Sequence, residues 1–183
     1  MAATREKVTT PEFRVSFPDV FRAKAFQGGE PKFGLSMIFD KKADLSALKV
    51  AAKRAVEEKW GKKIPAGLKN PFRDGAEKEH LDGYGEGTVF VNATTKQRPG
   101  LVNVSLQAIV DEQEFYAGCY ARATVSAFCY DTAGNRGVSF GLHNVQKLRD
   151  GESFSGRVAA EEDFDAVDDG AFAPEGGDDD FLD

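Results

Sequence analysis

The amino-acid sequence predicts a mainly β domain, built as a small barrel with one inserted α-helix and followed by an acidic tail. Most apolar residues recur with the two-residue period of strands. A single segment has the period of a helix. The composition then changes abruptly after residue 160. We therefore expect a domain over residues 1–160 and a disordered tail over 161–183.

The first two strands are predicted on either side of a glycine turn. In EFRVSFPDVFR (12–22), apolar residues alternate with polar ones and predict a half-buried strand that breaks near Pro18: Phe13, Val15 and Phe17. Gly28 and Gly29 favour a turn, because glycine tolerates positive φ. The second strand follows, with apolar residues spaced by two: Phe33, Leu35, Met37 and Phe39.

The one convincing helix is predicted from about residue 44 to residue 60. Leucine, alanine and valine recur there with a helical spacing, Asp44 can cap the start and Gly61 can end it. The next segment, 61–87, has two prolines and six glycines and little periodicity. We interpret it as a long functional loop, because structureless loops of this length are uncommon in compact domains.

Four more strands are predicted in the second half of the chain. They are GTVFVNATT (87–95), GLVNVSLQAIV (100–110), YAGCYARATVSAFCYD (116–131) and, after the turn DTAGNRG, VSFGLHNVQKL (138–148). One face of the third is uniformly small and apolar: Cys119, Ala121, Ala123, Val125, Ala127 and Cys129. Two cysteines do not make a disulfide framework, so we expect a buried, reduced pair.

The net charge of −6 conceals a basic domain. Residues 161–183 hold eleven of the 30 acids and no lysine or arginine, which leaves 19 acids against 24 bases in residues 1–160. The domain therefore carries +5 and the tail −11. Such asymmetry indicates a polyanionic partner for the domain and a separate task for the tail.

Catalysis, metals and cofactors are not expected. His80 and His143 are the only histidines, and neither has a metal-ligand spacing with a cysteine or an acid. No GxSxG or Walker A sequence is present, and no nucleophile, base and orienting group come together. No apolar run approaches the roughly 20 residues that span a bilayer. The N-terminus has no stretch like a signal peptide, so we expect the protein to stay in the cell that makes it.

Single-stranded nucleic acid is the partner that the remaining residues favour. Binding it requires cations along the backbone and aromatic faces for the bases. The polar face of the strand at 116–131 offers both: Tyr120, Arg122, Phe128 and Tyr130. Alternatively, Phe128 and Tyr130 are core aromatics and Arg122 is merely solvated. Further candidates lie in loops or after the last strand: Phe72, Arg73, Lys96, Arg98, Arg136, Lys147 and Arg149.

Four segments together resemble a family of phage single-stranded DNA-binding proteins. They are GGEPKF (28–33), KQRPG (96–100), YAGCYAR (116–122) and GLHNVQKLRDGE (141–152), within a similarity over about residues 8–157. The resemblance implies an oligonucleotide-binding (OB) fold, a five-stranded barrel with a helix between early strands. It also implies binding to DNA exposed during phage replication, recombination and repair, in the cytoplasm of the infected host, with self-association along DNA as a further possibility. Lys32 and Tyr116, which lie within these segments, are further candidate contacts.

The tail resembles the acidic C-termini of bacterial and phage single-strand binders, which end in aspartates and an aromatic residue. Here the aromatic is not terminal, and a second acid–aromatic unit surrounds Phe164. We expect the tail to compete with DNA and to recruit replication or recombination proteins. The residues expected to do so are Asp178, Asp179, Asp180, Phe181, Leu182 and Asp183.

Two other functions remain open from the residues alone. In the first, the chain is an interaction or scaffold protein whose acidic tail binds a basic partner, and the positive charge of the domain is incidental. Alternatively, it would bind RNA or process nucleic acid.

Overall fold

The computed structural model describes residues 5–25 and 28–154, so the predicted tail lies outside the described residues. The elements are β1 (Val8–Thr9), β2 (Phe13–Lys24), β3 (Lys32–Phe39), α1 (Ser46–Trp60), β4 (Arg73–Asp74), a 3₁₀ turn (Gly75–Lys78), β5 (Val89–Thr95), β6 (Gly100–Val102), β7 (Tyr120–Thr132) and β8 (Asn135–Arg149). Within this described part, no helix is both long and apolar enough to cross a membrane.

Five strands close into a ring in the order β2, β3, β5, β8, β7 and back to β2. The pairing of β5 with β8 is parallel, and the other four pairings of the ring are antiparallel. Numbered along the chain, the ring strands follow the order 1-2-3-5-4, and α1 lies between the second and the third. This is the predicted five-stranded OB-fold barrel with an early inserted helix.

The barrel interior confirms the small apolar face predicted for β7. Ala121, Ala123 and Val125 are buried, and Phe13 packs edge-to-face on Phe39 with ring centroids 5.8 Å apart. Small side chains on one strand leave room for large rings from its neighbours, as small barrels require. Cys119 is buried and Cys129 is half-buried, so the burial predicted for the pair is complete only at Cys119.

The helix begins and ends close to the predicted residues. Asp44 Oδ1 accepts a hydrogen bond from the backbone N–H of Ser46, 3.0 Å away. Hydrogen bonds from the side chain and backbone of Ser46 hold the pKa of Asp44 below its ordinary value. At the other end Gly61 adopts φ 58°, and its N–H donates to the Glu57 carbonyl at 2.8 Å. Glycine fits there because it has no Cβ to strain at positive φ.

The prediction that the first strand breaks near Pro18 is wrong. β2 continues to Lys24 across an irregular register between Ser16 and Asp19. Proline has no N–H for the ladder and is tolerated in strands at such bulges. Phe17 adopts φ 47° and is 50% exposed, whereas Val15 is fully buried. The alternation that placed Phe17 beside Val15 therefore ends at the bulge.

The prediction of a strand over 100–110 is correct only as far as Val102. Asn103 Oδ1 accepts hydrogen bonds from the N–H groups of Ser105 at 2.9 Å and Gln107 at 3.0 Å, and Leu106 adopts φ 63°. Asparagine side chains that bond the backbone two residues on form turns in competition with strands. Val104, Leu106 and Val110 are consequently exposed.

The long segment 61–87 forms a second, smaller core outside the barrel. Tyr84 packs with Ile38 and Phe90, which point outward from β3 and β5, and Leu81 and Phe154 cover them. The segment also contributes β4 and the 3₁₀ turn, two elements that its composition did not predict. It therefore covers the end of the outer surface of β3 and β5 that carries Ile38 and Phe90, and Asn92 and Thr94 further along β5 stay exposed.

Candidate nucleic-acid interface

Beyond the part that the segment 61–87 covers, the outer surface of β3 and β5 carries small and polar residues, of which Asn92 and Thr94 are exposed and Gly34 and Ser36 are buried. Ser36 pairs with Asn92 across the strands, and its hydroxyl donates to Asn92 Oδ1 at 2.5 Å. The next pair outward is Gly34 with Thr94. A Cβ on Gly34 would lie 2.7 Å from the Ala93 carbonyl oxygen, so only glycine fits. We call this surface, formed by Gly34, Ser36, Asn92 and Thr94, the β3–β5 face.

An exposed aromatic ring lies at the edge of the β3–β5 face. Lys78 Nζ is 5.7 Å from the ring centroid of Phe17 and 4.8 Å from that of Phe90. Because Phe90 points outward from β5, these distances place Phe17 beside the same surface. A phenylalanine held exposed at positive φ is an unfavourable arrangement, and such strain clusters at binding sites. Sequence reasoning missed Phe17, although the Phe-Pro pair inside a strand is a signal for a bulge.

Four cations gather at the open end of the β3–β5 face. Lys24 lies directly opposite Lys32 in the ladder of β2 and β3, and both are exposed. Lys96 and Arg98 follow Thr95, which pairs with Phe33, the neighbour of Lys32. Within this group, Lys96 forms an ion pair with Glu30 at 3.2 Å.

The opposed lysines have an energetic consequence. Like charges directly opposite each other in a sheet are destabilising. An anion bound between Lys24 and Lys32 would remove that cost. The predicted residues Lys32, Lys96 and Arg98 are thus brought together by the fold, and Lys24 is a fourth member that sequence reasoning did not identify.

Two further predicted cations lie toward the covered end of β5. Arg73 pairs with Phe90, with its guanidinium 5.3 Å from the ring centroid, and forms an ion pair with Glu77 at 2.5 Å. Arg136 lies in the β7–β8 hairpin and is paired with Asp131 at 3.1 Å. The predicted Phe72 packs edge-to-face on Phe140 of the core, with centroids 5.8 Å apart, so its ring is engaged in packing.

Tyr116, Tyr120 and Arg149 lie together away from the β3–β5 face, where they contact other parts of the domain. The Arg149 guanidinium covers the Tyr120 ring at 3.7 Å and bonds Glu12 at 2.8 Å. Tyr116 Oη donates to the Gly151 carbonyl at 3.0 Å and accepts from the Gly151 N–H at 3.2 Å. These contacts fix residues 150–154 against the barrel.

Lys147 belongs to the same cluster. Its ammonium donates to the Glu114 carbonyl and to Asp150 Oδ1, both at 2.6 Å, and its side chain is only 12% exposed. Burial opposes the charge of Lys147, but the hydrogen bond and charge of Asp150 outweigh it, so the pKa of Lys147 is raised. Conversely, the hydrogen bond from Lys147 lowers the pKa of Asp150. The ammonium is therefore already occupied within the protein.

The strength of this cluster is testable through Gly118. It adopts φ 112°, and an added Cβ would lie 2.1 Å from the Glu152 carbonyl oxygen. We expect Gly118→Ala to lower the free energy of unfolding by about 1–3 kcal/mol more than Gly67→Ala in urea titrations, because only the Cβ at position 118 overlaps other atoms. Gly67 also has positive φ but no atom within 4 Å of the added Cβ. Equal costs for the two variants would contradict tight packing of residues 150–154.

The remaining predicted residues lie on the outer surface of β7. Arg122 is exposed, and its Nε donates to Gln146 Oε1 at 2.8 Å. Tyr130 pairs with Gly137 in the ladder of β7 and β8. A Cβ added to Gly137 would lie 2.6 Å from the hydroxyl oxygen of Tyr130. Phe128 is half-buried, with the Arg5 guanidinium 5.1 Å from its centroid. Both aromatics thus point outward from the barrel rather than into its core.

Comparison with known proteins agrees with the predicted family. Residues 6–175 match the family described as Enterobacter phage Enc34, ssDNA-binding protein. A protein of Acyrthosiphon pisum secondary endosymbiont phage 1, p50, is 34% identical over 173 residues, covering 87% of this chain and 92% of that protein.

Solved structures show the same fold. The single-stranded DNA-binding protein of bacteriophage Enc34, in complex with ssDNA, superposes with a TM-score of 0.67 at 21% identity, covering 81% of this chain and 89% of that one. The single-stranded DNA-binding protein gp2.5 of bacteriophage T7 superposes with a TM-score of 0.58 at 15% identity, covering 94% and 100% of the two chains.

Proposed function

The chain belongs to the Enc34 family of phage single-stranded DNA-binding proteins, and we propose on this premise that it binds single-stranded DNA across the β3–β5 face without sequence preference. One observation supports the location above all. The exposed residue Phe17 and the opposed pair of Lys24 and Lys32 border the same surface, on which Asn92 and Thr94 are exposed. In OB-folds generally, the surface of the second and third barrel strands receives oligonucleotides, and β3 and β5 are those strands here.

Phosphate neutralisation supplies the sequence-independent part of this binding. Lys24, Lys32, Lys96 and Arg98 offer a row of cations at the open end, and Arg73 continues it beside Phe90. Each neutralised phosphate releases counterions, so affinity falls steeply with salt. The basic domain of charge +5 is the electrostatic background for these contacts.

Stacking and close backbone approach supply the rest. The Phe17 ring is exposed for a base, and every base has a π-face, so stacking does not select a sequence. Gly34 keeps the strand surface flat beside it, and the polar side chains of Asn92 and Thr94 are exposed.

The other predicted contact residues fall into two groups, those on outer surfaces and those whose side chains are engaged in contacts within the domain. Arg136, Arg122 and Tyr130 lie on outer surfaces and remain candidates for an extended DNA path. Tyr116, Tyr120, Lys147, Arg149 and Phe72 are engaged within the domain, and we assign them to holding its structure.

The biological role that fits this binding is protection of DNA exposed in phage replication, recombination and repair, within the infected host cell. The family is one of DNA-binding proteins, which agrees with the expectation that the chain is not an enzyme. Recruitment of replication or recombination proteins would fall to the tail, whose acids and apolar residues stand apart from the basic domain.

Competition between the tail and DNA predicts that deleting residues 161–183 raises affinity for oligo(dT). A tethered segment acts at millimolar-order effective concentration, so we expect a gain of about 2- to 10-fold at low salt. The gain in affinity should shrink as salt rises, because salt screens the attraction between the acidic tail and the basic domain. Anisotropy titrations at two salt concentrations measure it, with circular dichroism as the control for folding. Unchanged or weaker binding by the deletion variant contradicts competition.

The proposed function is tested by titrating the full-length protein with oligo(dT), a duplex of equal length and oligo(U) at 50 and 300 mM salt. We expect stoichiometric binding to oligo(dT) at low salt and a steep loss at high salt. Absence of stoichiometric DNA binding would instead support the scaffold function, and preference for oligo(U) would support an RNA-binding protein.

A further inference from the structure

The turn after β6 holds apolar side chains out in solvent. Residues 103–110 form this apolar turn, and its exposed apolar residues are Val104, Leu106 and Val110. The Asn103 amide donates to Gln107 Oε1 at 3.2 Å, and Gln146 Nε2 donates to the Asn103 carbonyl at 3.3 Å. These bonds and the buried side chain of Ile109 fix the turn on the domain. A fixed, exposed apolar patch is typical of an interaction site.

A groove lies between α1 and the segment 64–72. It has a volume of about 630 Å³, which is in the range of binding pockets. Its walls are mainly apolar and include Val56, Ile64, Leu68, Phe72 and Val138. Ile64 is 55% exposed there, although other apolar side chains lie next to it. The groove is therefore a second apolar surface without a cover in the described part of the chain.

The two surfaces carry opposite charges. The groove is lined by three lysines, Lys49, Lys53 and Lys69, against one acid, Glu57. In the part of the chain that the structure describes, none of these lysines forms an ion pair, whereas seven other basic side chains do. The apolar turn continues into an exposed acidic stretch, Asp111, Glu112 and Glu114. Apolar side chains with acids beside them thus face a match in an apolar groove with a basic rim.

The apolar turn and the groove lie at opposite ends of β8. Val138 lines the groove near the start of β8, whereas Val145 pairs with Leu101 just before the apolar turn. β6 runs parallel to β8, so the turn that follows β6 lies beyond Val145, on the side away from Val138. The two valines are seven residues apart, or about 20–25 Å along a strand. The apolar turn therefore does not reach the groove of its own molecule.

We propose that the apolar turn of one copy enters the groove of a second copy, so that copies of the chain join head to tail. Leu106, at the tip of the turn, packs against Ile64 in the groove, and the acids after the turn lie along the lysines of the rim. The contact joins two different surfaces of the same protein, so each copy keeps one free turn and one free groove. Such an interface repeats from copy to copy and builds an open chain rather than a closed dimer.

The two contacting surfaces flank the two ends of the β3–β5 face. On one side, Arg22 forms an ion pair with Glu112 at 3.4 Å and lies two residues before Lys24. On the other side, the segment that lines the groove ends at Phe72 and continues into Arg73, which borders the β3–β5 face. Joined copies therefore bring one end of a β3–β5 face next to the other end of the following one. This consequence for DNA rests on the proposed function, whereas the contact between copies does not.

Mixing two variants of the full-length protein tests the contact without DNA. Leu106→Ser keeps the groove and removes the tip of the turn. Lys49→Glu/Lys53→Glu keeps the turn and reverses the charge of the rim. Because each variant retains only one of the two surfaces, the mixture forms pairs and no longer chains. The control partner carries all three substitutions and offers neither surface.

Isoleucine methyl resonances report each side of the contact. The chain has three isoleucines, of which Ile64 lines the groove, Ile109 anchors the apolar turn and Ile38 is buried elsewhere. With Leu106→Ser labelled, the unlabelled lysine variant should shift the Ile64 signal saturably and leave Ile38 and Ile109 in place. With the labelling reversed, Ile109 should shift and Ile64 should not. The constant Ile38 signal shows that the variants remain folded.

Two results would overturn the proposal. One is an Ile64 signal that does not respond to the lysine variant. The other is an Ile64 signal that shifts equally with the control partner, which would place another part of the second copy, such as its acidic tail, in the groove.

On DNA, the contact predicts cooperative binding. We expect Leu106→Ser to bind a short oligo(dT), which holds one copy, like the natural protein. On poly(dT) it should lose about 10- to 150-fold in affinity per copy, the contribution of burying one leucine side chain. Equal affinities of the two proteins on poly(dT) contradict cooperation through this contact. An unresponsive Ile64 with intact oligo(dT) binding refutes the contact alone, and a responsive Ile64 without oligo(dT) binding refutes the proposed function alone.

Discussion

Phe17→Ala is expected to weaken binding of the full-length protein to oligo(dT) by about 1–3 kcal/mol, roughly 5- to 150-fold. The reason is that alanine removes the aromatic ring on which a base would stack at the edge of the β3–β5 face. Phe17 is 50% exposed, so alanine removes little of the barrel core. Fluorescence anisotropy of a labelled oligonucleotide measures the change, and the salt slope should stay constant because no cation is removed.

Two variants control for the unusual backbone at this position. Leu106→Ala changes another exposed residue of positive φ, far along the chain in the turn after β6, and should leave DNA affinity unchanged. Phe17→Tyr keeps a ring and should bind like the natural protein. If Phe17→Ala binds oligo(dT) as tightly as Leu106→Ala while both remain folded, Phe17 is not a stacking residue.

The parts of the fold that could be predicted are those where local pattern and burial agree. β7 combines strict alternation with side chains small enough for a barrel interior, and Ala121, Ala123 and Val125 lie there as expected. The helix has a clear period and a glycine at its end, and its bounds were predicted to within two residues. In these segments one physical requirement dominates, so the sequence alone determines the structure.

The errors in the fold come from turns that interrupt an otherwise regular pattern. Phe17 continues the alternation of Phe13 and Val15, yet the bulge at Pro18 turns it outward. Leu106 continues the alternation of β6, yet the Asn103 side chain captures the backbone and forms a turn. Hydrogen bonds of one side chain outweigh a hydrophobic period there, and periodicity does not register them.

The proposed binding site could be predicted only in part because it depends on pairing between distant residues. Lys24 and Lys32 are separated by a turn, and only the register of β2 and β3 makes them opposed. Composition likewise did not indicate that the segment 61–87 covers one end of β3 and β5. The aromatic and basic side chains predicted on β7 are of the kinds that bind single strands. In the structure, however, the ring of Tyr120 is covered by Arg149 of β8.

Lys24→Gln/Lys32→Gln is expected to lower affinity for oligo(dT) on the order of 60-fold at 50 mM salt. Each phosphate contact on single strands contributes about −0.7 to the slope of log K against log salt, so losing two reduces the slope by about 1.4. If the two proteins bind equally at 1 M salt, a slope difference of about 1.4 separates their affinities roughly 60-fold at 50 mM salt. Because the substitutions remove two opposed like charges, the thermal midpoint of the free protein should not fall.

Lys41→Gln/Lys42→Gln makes the same change in net charge at exposed positions beyond the other end of β3. If charge alone governed binding, both double variants would lose affinity equally and the β3–β5 face would have no special role. If the opposed lysines contact phosphates, the slope changes by about 1.4 in the first variant and much less in the second. Binding and stability then respond in opposite directions to the same pair, because the unfavourable proximity of two cations in the free domain is what favours a bound phosphate.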